Sequence, residues 1–316
     1  MAGRRGEPSR PVGQSTAPSN HAISTLATVG RFLLPDFLPA LAFGALLFSA
    51  GEDRFGAKGP CEPTPVDRKE PALLGRARPL VLHGFAPARR PAPLVLIAAH
   101  TDTPVARYDA LARHLASHGF VALVLQREPG EVWSRYADAL ELTLRQLDEG
   151  ADQPGHPWNR LLDGKAVALV ADRDAEAAAA RAAASGAHVG ALVLIDGADA
   201  GCAMPWLDRV RAPFLYVGAS EATADLAGLR SFHASGAAGG QRWHVRLRAP
   251  GPLFATDDRS LPPAVLDLHG LVARFLTAEL APDPNAIAPM NDLDSLGSVE
   301  RDCRSGRDAG GSTVRR

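Results

Sequence analysis

The chain has 316 residues, of which 46% are hydrophobic, so it is long enough to bury a substantial core. Its formal net charge of -1 and pI near 6.8 give no general attraction to nucleic acid or anionic membranes. No phosphate-binding glycine loop follows a predicted strand, and no cysteine and histidine spacing suggests zinc. We therefore expect no cofactor, no metal and no nucleic-acid partner.

The N-terminal part divides into three segments before the predicted domain. Residues 1–30 are rich in Gly, Pro, Ser and Arg and are predicted to be disordered. Residues 31–51 are hydrophobic, with an apolar core near the length of a signal sequence. Membrane association would use Phe32 to Ala50, so export or tethering stands beside a cytoplasmic protein whose apolar helix packs on its own domain. Residues 52–75 are polar, proline-rich and predicted as a linker.

Apolar runs alternate with helical patterns over residues 76–281, which predicts an α/β domain with a mostly parallel sheet covered by helices on both faces. A polar, glycine-rich tail, predicted to be disordered, follows over residues 282–316. The predicted strands, in chain order, are Pro79–Phe85, Pro93–Ala99, Phe120–Gln126, Ala166–Ala171, Gly190–Ile195, Ala212–Gly218 and, nearer an edge, Arg242–Arg248. The first two are predicted as a hairpin or as neighbouring strands.

Four helices are predicted between these strands, at Tyr108–His118, Glu131–Glu149, directly after Ala171, and at Pro262–Leu280. Gly119 is expected to end the first of them. The apolar face of the second is predicted to contain Trp133, Leu140, Leu144 and Leu147. Residues 196–201, a glycine-rich stretch with two aspartates, are predicted as a turn.

The most informative stretch is AVALVADRDAEAAAA, Ala166–Ala180, in which a buried strand runs directly into an alanine-rich helix. A nucleophile often sits on such a sharp strand-to-helix turn, with small residues two positions to each side. Ala171 and Ala175 are those small residues, but Arg173 occupies the central position. We call residues 171–175 the elbow. Asp172, Arg173 and Asp174 are expected to form either a site for a carboxylate or phosphate, or a solvated turn with a local ion pair.

Several patches resemble the α/β-hydrolase family that includes dienelactone hydrolases, chlorophyllases, cutinase-like polyester hydrolases and platelet-activating-factor acetylhydrolases. They are PAPLVLIAAHTDTPVARYDALARHLASHGFVALVLQREPG, SRYADALELTLRQLDEG with NRLLDGKAVALV, and ALVLIDG with VRAPFLYVGASEA. The resemblance covers roughly Arg78 to Leu280 and implies an α/β-hydrolase fold and carboxylic-ester chemistry. It gives His100 an architectural place.

The resemblance also places the catalytic positions. The nucleophile, acid and histidine positions fall on Arg173, Glu221 and Pro252, and the oxyanion-hole positions fall on Asp102 and Asp174. An arginine stays protonated and a proline exchanges no proton, so two of the three triad positions lack their chemistry. The carboxylates of Asp102 and Asp174 are expected to repel a developing oxyanion.

Three functions remain open from the sequence. The first is a protein that has lost serine-hydrolase activity and keeps a binding or structural role, with a small ester-like or anionic ligand. The second is an active ester hydrolase with a displaced triad, and the third is a membrane-tethered scaffold. The cysteines, Cys61, Cys202 and Cys303, are expected to be unpaired or, in an exported protein, to form a Cys61 to Cys202 disulfide.

Overall fold

A computed structural model of the chain describes residues 57–70, 80–101, 103–185, 189–197, 200–219, 242–247 and 263–280, all within the compact unit Leu47–Arg316. The hydrophobic segment 31–51 and the two predicted disordered termini lie outside these described residues. The described residues form an α/β structure, which confirms the predicted class. No helix in this described part is long and apolar enough to cross a membrane.

Eight strands form one sheet in the order β1-β2-β4-β3-β5-β6-β7-β8. They are β1 (Pro63–Glu70), β2 (Leu80–Pro87), β3 (Ala92–Ala98), β4 (Val121–Leu125), β5 (Leu162–Asp172), β6 (Val189–Ile195), β7 (Phe214–Ala219) and β8 (Arg242–Leu247). Strand β2 pairs antiparallel with both β1 and β4, and the other five pairings of these strands are parallel. Among the described strands β8 is the last in this order, which agrees with the edge position predicted for it.

Five α-helices accompany the described strands: α1 (Asp109–Ser117), α2 (Trp133–Asp152), α3 (Glu176–Ala184), α4 (Ala200–Leu207) and α5 (Pro263–Leu280). Helices α2, α3 and α4 share a core with one sheet face, and α1 and α5 share a core with the other. Neighbours along a strand point to opposite faces, so in β3 Leu94 and Leu96 belong to the first core and Val95 and Ile97 to the second. Gly119, at φ 96°, follows the end of α1 as predicted.

Four predictions about this scaffold were wrong. The predicted linker contains strand β1, which pairs with β2 along its whole length. Strands β2 and β3 are not neighbours, because β4 lies between them. Residues 196–201 were predicted as a turn, but helix α4 begins within them, at Ala200, and contains Pro205. Trp133 is 37% exposed, and Tyr136 takes its place on the buried face of α2.

Candidate functional site

The elbow lies at the sheet edge where three central parallel strands end. Ala98 of β3 pairs with Leu125 of β4 and with Ala171 of β5, so the residues that follow these strands emerge side by side. Ligands of open α/β sheets usually bind outside this carboxyl edge. The polar residues described below lie there.

The backbone of the elbow is a sharp turn, as the small residues predicted. Ala171 and Ala175 are fully buried, and Arg173 between them has φ 45°, in the left-handed region. For a residue with a side chain this conformation costs roughly 1–2 kcal/mol. A short 3-10 turn, Arg173–Ala175, then leads into α3. The strained position therefore carries an arginine.

The Arg173 side chain is held by two neighbours. Its Nη2 donates to Oγ1 of Thr103 at 2.6 Å, and its Nε donates to Oδ1 of Asp172 at 3.3 Å. The hydroxyl of Tyr108 donates to Oδ2 of Asp172 at 2.7 Å and accepts from the backbone N–H of His100 at 2.9 Å. The Asp172 side chain is 2% exposed and that of Arg173 is 26% exposed. Because the Asp172 carboxylate is buried, this ion pair is not the solvated pair expected for an exposed turn.

Burial and charge set the ionisation of this pair. Burial raises the pKa of Asp172, and the opposing effects of Arg173 and of the Tyr108 hydrogen bond do not fully offset it. The pKa of Tyr108 is also raised, first by burial and then by the nearby charge of Asp172. The phenol therefore stays protonated and remains a donor to the carboxylate.

Asp174 is the centre of a second network. Its Oδ1 contacts Nδ1 of His100 at 2.5 Å, and its Oδ2 accepts from Oγ1 of Thr101 at 2.6 Å and from Nη1 of Arg127 at 2.8 Å. Burial alone would raise the pKa of Asp174, but the hydrogen bonds from Thr101 and His100 outweigh it and lower the pKa. The carboxylate predicted to oppose an oxyanion is thus paired with a cation and ties the elbow to the loop after β3.

Arg127 extends this network to the loop after β4. Its Nε donates to the carbonyl oxygen of Glu131 at 2.7 Å, and its Nη2 donates to the same oxygen. Val132 and Trp133, directly after Glu131, are 55% and 37% exposed. An exposed apolar pair therefore follows the end of the charged network.

Another buried carboxylate lies beside the elbow, at the first residue of α3. Glu176 is fully buried, and Gly197 after β6 packs so closely that a Cβ there would lie 1.9 Å from its Oε2. Asp196, at φ 50°, precedes this glycine. Burial, then the charges of Glu176 and Asp196, raises the pKa of Tyr216. The sequence pattern of α3 gave no signal for this group beyond an acidic residue in its first turn.

Of the five predicted site residues, the structure describes Arg173 and Asp174, and Asp102, Glu221 and Pro252 lie outside the described residues. His100 contacts Asp174 of the elbow. Sequence reasoning missed Thr103 and Arg127, which lie in loops, and Tyr108, which ends a short 3-10 helix, Val105–Tyr108, directly before α1.

The chemistry available to these networks is limited. Three hydroxyls belong to these two networks, those of Thr101, Thr103 and Tyr108. Each forms a hydrogen bond with a charged side chain of an ion pair. Nε2 of His100 has no hydrogen-bond partner among the described residues, so it is the one imidazole nitrogen of these networks available to a ligand. No group of three His, Cys, Asp or Glu residues in the described ranges could hold a metal ion.

Cys61 was predicted to be unpaired or, in an exported protein, to form a disulfide with Cys202, and in the structure it is a free thiol.

In comparisons with known proteins, no family model matches the chain and no curated protein is significantly similar to it.

Proposed function

We propose that this chain is an α/β-hydrolase-fold protein that has lost serine-hydrolase chemistry and keeps its elbow edge as a binding or structural module. Two features support the fold. A central parallel strand enters a sharp turn with a left-handed central residue. The loop after β3 is hydrogen-bonded to Asp174, the residue after that central one, and in this fold both neighbourhoods supply oxyanion donors.

The observation that carries the loss of chemistry is the state of Arg173. A guanidinium is protonated at any physiological pH and has no nucleophilic role. Here it is bound to the buried carboxylate of Asp172 and to Thr103. An arginine paired with a buried carboxylate is a structural part of the turn, in the position where the family resemblance places a serine.

The charges at this edge favour an uncharged ligand over an anion. Arg173 is paired with Asp172, and Arg127 is paired with Asp174, so neither cation is left to attract a carboxylate or phosphate. The exposed side chains of Val132 and Trp133 follow the carbonyl that Arg127 binds. Of the two ligand classes predicted from the sequence, the small ester-like one is therefore the better match.

The test is labelling of the full-length protein with a fluorophosphonate probe, with turnover of p-nitrophenyl acetate measured in parallel. We expect no labelling, and no turnover through an acyl-enzyme. Arg173→Ser is the matched variant, and it should also stay unlabelled, because Pro252 supplies no general base. Stoichiometric labelling of the parent protein, abolished by replacing one serine with alanine, would overturn the proposal.

A second candidate, an ester hydrolase with a displaced site, is favoured by the contact between His100 and Asp174. A carboxylate that holds Nδ1 leaves Nε2 of an imidazole free to take a proton from water. Such a protein would hydrolyse p-nitrophenyl acetate without fluorophosphonate labelling. Turnover that falls at least tenfold in His100→Gln supports this candidate, and turnover unchanged by that substitution rejects it.

The third candidate, a membrane-tethered scaffold, rests on residues 31–51 and remains a prediction. Its test is membrane fractionation of the full-length chain against a version lacking residues 1–55. Equal recovery of both in the soluble fraction would reject it.

A further inference from the structure

His83, in the middle of β2, lies between two carboxylates that belong to different elements. Its Nδ1 contacts Oδ1 of Asp67 in β1, and its Nε2 contacts Oδ1 of Asp109, the first residue of α1, at 3.0 Å. Asp67 is the residue directly opposite His83 in the antiparallel pair. One imidazole thus joins the edge strand, its neighbour and a helix.

Only one protonation state satisfies both contacts. A neutral imidazole has one N–H donor and one acceptor nitrogen, whereas an ionised carboxylate only accepts. A neutral His83 can therefore serve Asp67 or Asp109 but not both. The imidazolium form donates to both carboxylates at once.

The surroundings of His83 favour the charged form. Burial lowers its pKa, but the hydrogen bonds and charges of Asp67 and Asp109 outweigh burial and raise the pKa above 6.5. On the β4 side its partner is Val124, and on α1 the guanidinium of Arg113 is stacked over the Phe85 ring at 4.5 Å. Asp67 and Asp109 are the charged groups among the described side chains that act on His83.

Different side-chain contacts hold the two halves of β1. At its start, Oγ1 of Thr64 donates to the carbonyl oxygen of Ala86 at 3.1 Å and accepts from Nη2 of Arg90 at 2.6 Å. In the second half of β1, the side-chain contact is that of Asp67 with His83. Since β1 is an edge strand that pairs only with β2 in the described sheet, loss of that contact weakens its second half.

We propose that His83 is a pH-sensitive clasp, whose doubly protonated ring fastens β1 and α1 to β2 and whose deprotonation loosens the second half of β1. A histidine with a raised pKa contributes stability that is fully present below pH 6.5 and is lost as the pH rises through its folded-state pKa. His83 therefore binds both Asp67 and Asp109 in mildly acidic conditions and can bind only one of them as a donor towards alkaline pH.

The test combines two measurements on the full-length chain. Ring nitrogen NMR of His83 should show protons on both nitrogens at pH 6 and an apparent pKa above 6.5. In this antiparallel pair the amides of Arg68 and Glu70 face β2, whereas those of Asp67 and Lys69 face away from it. Hydrogen-exchange protection factors of Arg68 and Glu70, corrected for intrinsic rates, should fall about five- to tenfold as His83 deprotonates, which is the effect of one partly exposed charged hydrogen bond. The amides of Thr64 and Val66, in the first half of β1, serve as the internal reference, and their protection factors should change less.

Variants separate the clasp from a general effect of pH. His83→Gln should show the low protection at every pH, and Asp67→Asn, which keeps the histidine, should lower its pKa and shift the transition to lower pH. His156→Gln, which replaces a half-buried histidine that contacts Trp158, is the matched control and should leave β1 unchanged. A His83 pKa at or below 6.5, or the same pH dependence in His83→Gln as in the parent, would overturn the proposal.

Discussion

The two ends of helix α1 contact polar side chains that differ in charge. At the N-terminal end, the hydroxyl of Tyr108 donates to Asp172, which is paired with Arg173, and Asp109 faces His83. At the C-terminal end, three imidazoles lie together. The ring of His114 is 4.7 Å from that of His118 and 5.7 Å from that of His269 on α5, measured between centroids.

This difference decides which ionisation state each end tolerates. Charged groups are retained at the N-terminal end because each has an opposite charge beside it. At the C-terminal end, burial lowers the pKa of His114 to about 4 and that of His269 to about 3, and each is lowered further by a neighbouring histidine. No carboxylate of the described residues contributes there. One helix thus joins an ionic region to a region that must stay neutral.

The largest expected effect is acid destabilisation through the C-terminal end. A buried histidine with a lowered pKa contributes stability that is fully present above pH 6.5 and is lost as the pH falls towards its folded-state pKa. At pH 5 the loss is roughly 2 kcal/mol for each of His114 and His269. Urea unfolding at pH 7 and pH 5 measures it.

The control for this effect is His269→Leu, which should lose about half of the difference between pH 7 and pH 5. His83 changes stability in the opposite direction over this range, and the comparison with the variant cancels that contribution. If the variant keeps the full pH dependence of the parent, the imidazoles are not its source.

The next largest effect comes from the ionic end. Arg173→Ala should destabilise the protein by about 3 kcal/mol, because it leaves the buried carboxylate of Asp172 with the Tyr108 hydroxyl alone. Arg173→Gly should be about 1 kcal/mol more stable than Arg173→Ala, since glycine adopts φ 45° without strain. Urea denaturation at pH 7 compares the two. An alanine variant within about 0.5 kcal/mol of the parent would indicate a solvated turn, with no need for the ion pair.

The smallest expected effect comes from a single hydroxyl. Tyr108→Phe removes the donor to Asp172 and should cost about 1–2 kcal/mol, because the acceptor is a buried charge. Tyr136→Phe is the matched control, since its hydroxyl donates to the neutral carbonyl of Leu125 at 2.7 Å. Thermal or urea unfolding should show the larger loss for Tyr108→Phe, and equal losses would remove the distinction between the charged and the neutral acceptor.

Hydrophobic periodicity predicted most of the scaffold, and its failures have physical causes. Strand β1 was missed because Pro63 and Pro65 resemble a linker, yet a proline costs little on an edge strand. Helix α4 was missed because Pro205 lies inside it. The order of β2, β4 and β3 was missed because adjacency in sequence does not fix adjacency in a sheet.

The candidate site was predictable only where it depends on local sequence. The place of Arg173 follows from a strand, a helix and two small residues, all within a dozen positions. The partners of Arg173 and Asp174 could not be predicted from local sequence, because Thr103 precedes Arg173 by 70 residues and Arg127 precedes Asp174 by 47. Contacts of that separation exist only after the sheet brings the strand ends together.

Helix α5 has a consequence for synthesis of the chain. Its buried face, including Leu268, Leu271 and Phe275, covers the side of β5, β6 and β7 that holds Val170, Val193 and Val217. Translation of the 61 residues that follow Ala219, the end of β7, through Leu280 takes about 3 to 12 seconds. During that interval a growing chain displays an uncovered apolar sheet face, so chaperone binding is expected to matter most then. Products that stop before residue 263 should aggregate in the cell.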